Sequence, residues 1–489
     1  MNAYAADAQQ IQKASELVKE AGGEALFERL LHLDRRLAQK PSPKRPTLGP
    51  DKAHKPDFDV IIAGGGLSLL LAPLLAQRGL KTAVLERTRA GGAHREWNAS
   101  KAELIALMQS GLFSAAELEA ILAARYKHGI CRWHEGGTYP VKGVLDLCID
   151  AGLLLQKARE RAISSGVTLL DGHSLEAHAE GEGGVHLWVR QGEAAKLELS
   201  AKILVDARGA SSPYATADLL CPTVGGVLSG IDEGDDRYAI QPDIGEILVT
   251  TEHVEEGRQH LWEAFPGRRG ETTVYLFYYA RAQAVAPGSL MQLYARFFET
   301  LPRYKRGKIK LLRPTFGYIP GWSRMCPGPR APGKRVMLVG DAAARHSPLT
   351  FCGFGCFIRS LSSTAEDIAR ASEHPQGRLA LEPACDAPIH TGTGALSMLM
   401  ASVSPKKERA SDMNRLLDAA FSVLHEMGDE AYGALMRDTM SARDFVTFLR
   451  KTAALRPEVY AEVFKSLPWG ALGKWSLGLG QAYFRSGAV

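Results

Sequence analysis

An apolar stretch that runs into three consecutive glycines constrains the fold of this 489-residue chain more than any other feature. Residues 58–63 predict a short buried strand, and residues 68–78 predict a helix shortly after it. Between them, Gly64 and Gly66 predict a tight turn. Such a turn lets the backbone approach a pyrophosphate, while the N-terminus of the helix offers free N–H groups and a partial positive charge. The segment therefore predicts a dinucleotide-binding turn in a parallel sheet.

The residues after this turn extend the prediction and also limit it. A second strand over residues 81–85 leads to Glu86, 22 residues after Gly64, where a carboxylate can accept a ribose 2′-hydroxyl. This carboxylate argues against a bound 2′-phosphate. Leu69 stands where the usual fingerprint has a third small residue, so the motif alone also fits an ordinary strand-to-helix turn. The predicted contacts to a dinucleotide are Gly64, Gly66, Leu67, Ser68, Glu86 and Arg87.

A second glycine-rich element, far down the chain, favours the dinucleotide-binding turn over an ordinary strand-to-helix turn. Residues 335–340 predict another buried strand, and Asp341 follows at its carboxyl end, where ligands of open α/β sheets collect. An Asp at this place can bind the ribityl hydroxyls of a flavin. Residues 348–355 then open a helix, and their glycines allow N–H groups to approach N1 and the C2 oxygen of the flavin ring. The two elements together predict FAD, contacted in this second part by Gly340, Asp341, Pro348, Gly353, Phe354 and Gly355.

Two elements in the middle of the chain match patterns of one group of FAD proteins. Residues 142–151 begin a predicted helix that runs through Ala162, and residues 204–211 end a strand in a turn. They resemble the R-x-x-L-D-x-x-L and D-A-x-G-x-x-S patterns of the para-hydroxybenzoate-hydroxylase-like group, with Lys142 in place of the usual Arg. The resemblance implies an α/β fold. It consists of a Rossmann-type FAD-binding domain, an inserted and mostly antiparallel β-sheet substrate domain, and a C-terminal helical region.

Changes of periodicity along the chain predict the domain boundaries. Residues 222–316 alternate apolar and polar positions and contain many β-branched and aromatic residues, which indicates antiparallel strands that would cover the flavin ring. The predicted order is a helical N-terminal extension and linker (1–56), the FAD-binding domain in two parts (57–212 and 317–389), the β-rich substrate domain between these parts (213–316) and C-terminal helices (390–489).

Composition and charge argue against several functional classes. The formal charge of +5 is small for this length, and no basic run alternates with aromatic residues, so we expect no nucleic-acid partner. No stretch predicts a secretory signal or a membrane-spanning helix. The seven cysteines are scattered without a Cys-x-x-Cys pair, which indicates a reducing compartment and no metal site. We therefore expect a cytoplasmic protein.

The C-terminal stretch 467–479 has the composition of a segment that can contact a membrane. It combines Trp469 and Trp475 with Lys474 in an otherwise apolar sequence. Such a segment can lie on the surface of a bilayer, and it can equally be a terminal helix docked on the protein. The first interpretation predicts peripheral contact with the inner membrane.

Several stretches outside the shared FAD motifs resemble one family, the CruA/CruP-type lycopene cyclases. The most specific is residues 347–355, Ser-Pro-Leu-Thr-Phe-Cys-Gly-Phe-Gly, and the others are residues 95–98, 245–252, 261–266 and 316–320. The resemblance implies an apolar polyene or carotenoid substrate, and closure of the linear ends of lycopene to β-ionone rings. It also implies that reduced FAD is present without net oxidation, with NADPH as its reductant.

Ring closure of this kind needs a general acid in a dry pocket, because protonation of an alkene starts it. Glu263 and Glu96 are the candidates, since both are flanked by aromatic residues that can raise a carboxyl pKa by desolvation. Each also has an ordinary interpretation as the partner of a neighbouring arginine. Plant and bacterial lycopene cyclases carry an acidic strand whose counterpart here, residues 275–279, has no acid. The aromatic residues that can line a polyene tunnel are Trp97, Trp262, Tyr275, Phe277 and Tyr279, and the ordinary interpretation of each is a core residue.

Three other functions stay open at the level of sequence. The fold group also contains flavin monooxygenases and halogenases, although the halogenase signature Trp-x-Trp-x-x-Pro is absent from this chain. A prenyl or polyene reductase would use similar apolar substrates and would consume NADPH. A catalytically silent FAD-binding paralogue would bind cofactor and carotenoid without turnover. Oxygen uptake, NADPH consumption and product mass distinguish these functions.

Overall fold

The structure, a computed structural model, describes residues 6–36, 55–93, 96–181, 183–192, 195–215, 217–255, 257–268, 270–323, 333–344, 346–347, 349–350, 353–373, 390–401, 412–458 and 469–485. Its strands, in chain order, are β1 (Phe58–Ala63), β2 (Thr82–Glu86), β3 (Trp97–Ala99), β4 (Leu122–Arg125), β5 (His128–Arg132), β6 (Thr138–Val141), β7 (Leu147–Ile149), β8 (Thr168–Asp171), β9 (His173–Glu180), β10 (Val185–Gln191), β11 (Ala195–Asp206), β12 (Leu219–Ile231), β13 (Ile244–Val249), β14 (His260–Pro266), β15 (Glu271–Tyr278), β16 (Ala280–Arg281), β17 (Gly307–Gly321) and β18 (Val336–Leu338). Its helices are α1 (Ala8–Arg36), α2 (Leu71–Gln77), α3 (Lys101–Gln109), α4 (Ala115–Ala120), α5 (Ala151–Ser164), α6 (Ser289–Tyr304), α7 (Gly353–Glu373), α8 (His390–Met400), α9 (Asp412–Met427), α10 (Asp429–Met436), α11 (Ala442–Leu455) and α12 (Trp469–Arg485).

The first sheet has the predicted Rossmann-type arrangement. Its strand order is β8-β2-β1-β11-β10-β9, with β18 paired to β11. β8, β2, β1, β11 and β18 are parallel, whereas β9 and β10 extend the sheet as an antiparallel meander. Helices α2, α5 and α7 pack on one face through buried leucines such as Leu74, Leu154 and Leu361. The carboxyl ends of the parallel strands thus meet at one edge, where α/β sheets bind their ligands.

Most elements predicted around the first glycine turn are confirmed, with two differences. β1 has the predicted bounds, but a 3-10 turn over Leu67–Leu70 precedes α2. The helix predicted from residue 142 begins only at Ala151, because residues 147–149 form β7. The Asp150 side chain marks the start of α5 by accepting a 2.9 Å hydrogen bond from the Leu153 N–H. Such a cap satisfies an N–H group of the first turn that has no partner within the helix.

The second sheet is the predicted, mostly antiparallel one. Its order is β16-β12-β15-β14-β13-β5-β6, and β17 pairs with β12. Among the described strand pairs of this sheet, only β13 with β5 is parallel. β5 and β6 come from the segment 57–212, so that segment contributes strands to both sheets. A small third sheet has the order β3-β7-β4.

One face of the second sheet packs against the N-terminal helix. Side chains of a strand alternate between its faces, so Trp262 and Ala264 of β14 share a core with α1 and α6. The Asp34 carboxylate on α1 accepts hydrogen bonds of 3.1 and 3.2 Å from the N–H groups of Leu290 and Met291. The helix that the sequence predicted as an extension is therefore packed onto this sheet.

The C-terminal helices cover the hairpin formed by β5 and β6. The Phe421 ring on α9 meets Trp133 edge-on, with ring centroids 4.7 Å apart, and Tyr432 on α10 packs against Phe421. Trp475 on α12 meets Phe445 on α11. Among the helices in the described ranges, none combines the length and apolar character needed to cross a membrane.

Candidate functional site

The turn after β1 leaves an open space beside its backbone. Gly64 has φ +115°, and a Cβ there would lie 2.4 Å from the Ala207 carbonyl oxygen, so a side chain at this position is excluded. The Ser68 hydroxyl donates a 2.7 Å hydrogen bond to the Gly64 carbonyl oxygen. A Cβ on Gly66, in contrast, would meet no heavy atom of the described residues within 4 Å. The backbone can therefore approach a ligand at Gly66, next to the first helical turn.

Glu86 holds this turn in place as well as ending β2. Its Oε2 accepts a 2.9 Å hydrogen bond from the Gly65 N–H, and its Oε1 accepts one of 2.9 Å from the Thr88 N–H. Arg87, beside it, is exposed. Leu69 is fully buried, and a Cβ on Gly91 would lie 3.4 Å from its Cδ2 atom. Leu69, which departs from the small residue of the fingerprint, is thus part of the core between the helices and the sheet.

The second glycine-rich element reaches the same edge of the sheet. Gly340 has φ +63° two residues after the end of β18, and Asp341 follows with about half of its side chain exposed. Asp341 Oδ1 lies 3.8 Å from His346 Nδ1. α7 begins at Gly353, and its Phe354 ring stacks on Trp97 with centroids 5.0 Å apart. Pro348, predicted as a flavin contact, lies outside the described residues.

A cavity of about 400 Å³ is lined by residues of both sheets and of α7. The residues predicted to contact FAD that line this cavity are Leu67, Ser68, Gly340, Asp341, Gly353, Phe354 and Gly355. The second sheet supplies an apolar wall that includes Ile247, Phe265, Tyr275 and Phe277. The cavity thus has a glycine-rich side and an aromatic side, and its size is in the range of small-molecule sites.

Both predicted acids line this cavity, in different surroundings. Glu263 lies on the β14 face that also bears Leu261 and Phe265, and it pairs across the sheet with Tyr275 of β15. Of the two arginines predicted as its ordinary partners, Arg268 pairs with Asp150, and Arg269 lies outside the described residues. The Glu263 carboxyl group thus lies on the aromatic side of the cavity.

Glu96 has polar partners within the described part of the chain. Its Oε2 accepts a 2.9 Å hydrogen bond from the Thr273 hydroxyl, and its Oε1 lies 3.5 Å from the Arg313 Nη2 atom. Its side chain is 16% exposed. The sequence predicted that a neighbouring arginine pairs with Glu96. In the structure an arginine from a distant strand, Arg313 of β17, lies beside the carboxylate.

Not all aromatic residues predicted along a tunnel reach the cavity. Trp97, Tyr275 and Phe277 line it. Trp262 points to the opposite face of the sheet and stacks on Tyr304, with centroids 4.7 Å apart. Tyr279 lies in the core beside the cavity and donates its hydroxyl proton to the Leu349 carbonyl oxygen. For Trp262 the ordinary interpretation as a core residue holds, because strand alternation turns it away from its neighbour Glu263.

Sequence reasoning missed an ionic pair and two polar atoms at this cavity. Glu103 on α3, 4% exposed, pairs with Arg359 on α7. The Asn98 Oδ1 and Thr350 Oγ1 atoms are buried without a hydrogen-bond partner among the described residues. Buried polar atoms are normally satisfied, so these two are candidates for contacts to a polar ligand. The one local signal was Ser100-x-x-Glu103, the capping box that starts α3.

The cysteine beside the aromatic wall is buried and unreactive. Desolvation by burial raises the pKa of the Cys131 thiol to about 12. A thiol that stays protonated is a poor nucleophile. Cys131 therefore acts as a packing residue behind the wall.

Comparisons with known proteins identify the fold. No protein-family model matches the chain, and no curated protein matches it. A geranylgeranyl bacteriochlorophyll reductase-like protein from Thermoplasma acidophilum is similar, with a TM-score of 0.59 at 16% identity over 84% of this chain and 99% of that one. A variant of the halogenase PltM in complex with FAD has a TM-score of 0.55 at 14% identity over 81% and 85% of the two chains. The anhydrotetracycline hydroxylase OxyS from Streptomyces rimosus has 0.50 at 17% identity over 78% and 76%. The chain thus shares its fold with these three proteins.

Proposed function

We propose that this chain binds FAD and modifies an apolar polyene, with closure of the end groups of lycopene as the specific reaction. The observation that supports this most directly is Glu263, a carboxyl group set in the aromatic wall of the cavity that the second glycine-rich element also lines. Ring closure needs a proton donor, and a polyene end group needs an apolar wall.

Three features of the described residues fit FAD. The turn at Gly66 has room for a pyrophosphate beside a helical N-terminus. Asp341, at the end of β18, lines the cavity and is suited to ribityl hydroxyls, and the N-terminus of α7 offers N–H groups near Gly355. The FAD complex of PltM, which has the same fold, supports this cofactor. Reduced FAD, when bound, supplies an electron-rich ring beside the reacting end group, and NADPH is the proposed source of its electrons.

Each residue of the cavity wall has a distinct role in the proposed reaction. Protonated Glu263 gives its proton to a terminal double bond, and a neighbouring double bond then attacks the resulting carbocation to close the ring. Tyr275 and Phe277 offer π faces to the cation, while Ile247 and Phe265 exclude water from it. The Glu263 carboxylate takes back the proton that the ring loses. The net change is an isomerisation, so the substrate and product have equal mass.

A second candidate is reduction of a prenyl or polyene double bond. The observation that favours it is the likeness to the geranylgeranyl bacteriochlorophyll reductase-like protein, which this chain matches over 99% of that protein's length. Reduction would need the same apolar wall. It would add two hydrogen atoms to the product and consume NADPH stoichiometrically.

Pigment analysis in cells that accumulate lycopene tests both candidates. The chain is expressed there as the native sequence and as Glu263→Gln, Glu96→Gln and Glu119→Gln, the last being an exposed control. A product of unchanged mass and shorter-wavelength absorption, lost in Glu263→Gln and retained in Glu119→Gln, would support cyclisation. A product heavier by two hydrogens would identify the reductase. Unchanged lycopene with FAD-loaded protein would contradict both, and it would favour a silent paralogue or another substrate.

We also propose that α12 rests on an anionic phospholipid surface, at the cytoplasmic face of the inner membrane. Trp469, Leu477 and Phe484 are 74%, 70% and 78% exposed along one side of this helix. Leu472, one turn after Trp469, is buried against Leu219 and Met398. The helix contains Lys474 and Arg485 and no acidic residue, which suits anionic headgroups. This position would bring the cavity close to a lipid-dissolved substrate.

A further inference from the structure

Two loops of the second sheet bring together three metal-ligating side chains away from the cavity. His134 and Glu135 lie in the turn between β5 and β6, and His253 lies in the segment after β13. One ligand atom from each of the three falls within 4.8 Å of the other two. The two imidazole rings are 4.7 Å apart between centroids. None of the three residues lines the cavity.

One separation among these atoms has the length expected between two ligands of a tetrahedral ion. His253 Nε2 lies 3.3 Å from Glu135 Oε2. Ligands at about 2.0–2.1 Å from a tetrahedral ion are separated from one another by roughly 3.3–3.4 Å. Two imidazoles and one carboxylate are also a known zinc ligand set, with the fourth position open to water. We propose that His134, Glu135 and His253 bind one Zn²⁺ ion.

The surrounding residues hold the three ligands in position. The His134 N–H donates a 2.8 Å hydrogen bond to the Thr250 hydroxyl, which ties the turn to the segment after β13. The Asn414 side chain on α9 contacts the Nδ1 side of the His253 ring at 3.4 Å, which leaves Nε2 toward Glu135. The same amide accepts a 2.7 Å hydrogen bond from the Thr250 hydroxyl at its Oδ1 atom and donates one of 2.9 Å to the Glu252 carbonyl oxygen, which fixes its place beside His253.

The backbone at Glu135 adds to this argument. Its φ is +58°, in the left-handed region that non-glycine residues rarely adopt. Such conformations cost free energy and persist where the surrounding structure requires them, often at functional sites. An ion at this place would join the β5–β6 turn to the segment that α9 covers, so its expected role is to stabilise the second sheet. The site is independent of the proposed FAD chemistry.

Metal binding to the whole chain tests the proposal. Tag-free protein is stripped with chelator and titrated with Zn²⁺ by calorimetry, as the native sequence and as Glu135→Gln, His253→Gln and His32→Gln. His32 is an exposed histidine on α1 and serves as the control. We expect one ion per native chain, the same for His32→Gln, and binding at least 100-fold weaker in the other two. Circular dichroism establishes that each variant is folded.

Cobalt provides a second readout. Co²⁺ bound to the native chain should give the intense visible absorption of a tetrahedral site, and Glu135→Gln should remove it. A native chain that binds no zinc would overturn the proposal. Equal zinc affinity in the native chain, Glu135→Gln and His253→Gln would overturn it as well, because the ion would then bind elsewhere.

Discussion

The carboxylate of Glu103 on α3 forms a buried ion pair with the guanidinium of Arg359 on α7. Glu103 Oε2 also accepts a 2.8 Å hydrogen bond from the Ser100 N–H, and Arg359 Nη2 donates one of 2.7 Å to the Arg437 carbonyl oxygen. A Cβ on Gly355 would lie 2.0 Å from Glu103 Oε1. The pair thus sits directly against the first turn of the helix proposed to contact the flavin, and it connects α3, α7 and the residue after α10.

Removal of Arg359 should destabilise the protein strongly. In Arg359→Met the Glu103 carboxylate stays buried without its partner, which typically costs about 3–5 kcal/mol. The free energy of unfolding, measured with denaturant, should fall by that amount, and FAD retention should fall with it. Arg370→Met on the same helix removes an exposed pair with Asp367 and should cost less than about 1 kcal/mol. Similar losses in the two variants would contradict a special role for Glu103 and Arg359.

Alanine at the two glycines of the first turn should separate folding from cofactor binding. Gly64→Ala places a Cβ 2.4 Å from the Ala207 oxygen at φ +115°, so we expect a lower melting temperature. Gly66→Ala meets no described atom within 4 Å, so stability should be unchanged while FAD affinity falls at least tenfold. Flavin fluorescence titration and thermal unfolding measure the two effects. Gly183→Ala, in open space on the β9–β10 turn, is the control. Undiminished FAD binding by Gly66→Ala would argue against a pyrophosphate at this turn.

Protonation of Asp171 at low pH should lower the stability of the protein, because this carboxylate holds the loop after β2. Burial acts to raise the pKa of Asp171, but hydrogen bonds from Arg159, at 2.8 Å, and from the Ala90 N–H lower it below its ordinary value of 3.8. Since the folded pKa is depressed, the stabilisation is complete above pH 3.8 and is lost as the pH falls through the lowered value.

The corresponding variant is Asp171→Asn. It should lose about 1 kcal/mol at pH 7 and show a flatter stability profile below pH 4, measured by urea unfolding at several pH values. The exposed Asp235→Asn should follow the native profile. A native-like acid slope in Asp171→Asn would show that other carboxylates determine this range.

The exposed side of α12 predicts binding to anionic vesicles. The double variant Leu477→Ser and Phe484→Ser should reduce co-sedimentation with phosphatidylglycerol vesicles at least tenfold, because two large apolar side chains no longer enter the interface. Ile163→Ser, which removes a 56% exposed apolar side chain on α5, is the matched control and should bind as the native chain does. Equal binding by all three proteins would contradict the proposed orientation of α12.

Local patterns were sufficient for the parts of the fold that depend on short stretches of chain. The strand over residues 58–63, the turn at Gly64 and the strand before Gly340 follow from periodicity and from glycine chemistry within a few residues. The resemblance to one group of FAD proteins implied the α/β class, and the alternation over residues 222–316 predicted the inserted antiparallel sheet. The start of α5 was misplaced because residues 147–149 pair with strands remote in sequence.

The sequence by itself determined the two glycine-rich elements and the candidate acids Glu263 and Glu96, since these rest on residue types and spacing. Only the tertiary structure decided that Trp262 faces away from the cavity, that Arg313 reaches Glu96, and that Arg359 pairs with Glu103. The physical reason is that both faces of β14 are apolar, so alternation alone does not say which face meets the cavity. Ion pairs between distant segments depend on how sheets and helices pack, and no local pattern encodes that packing.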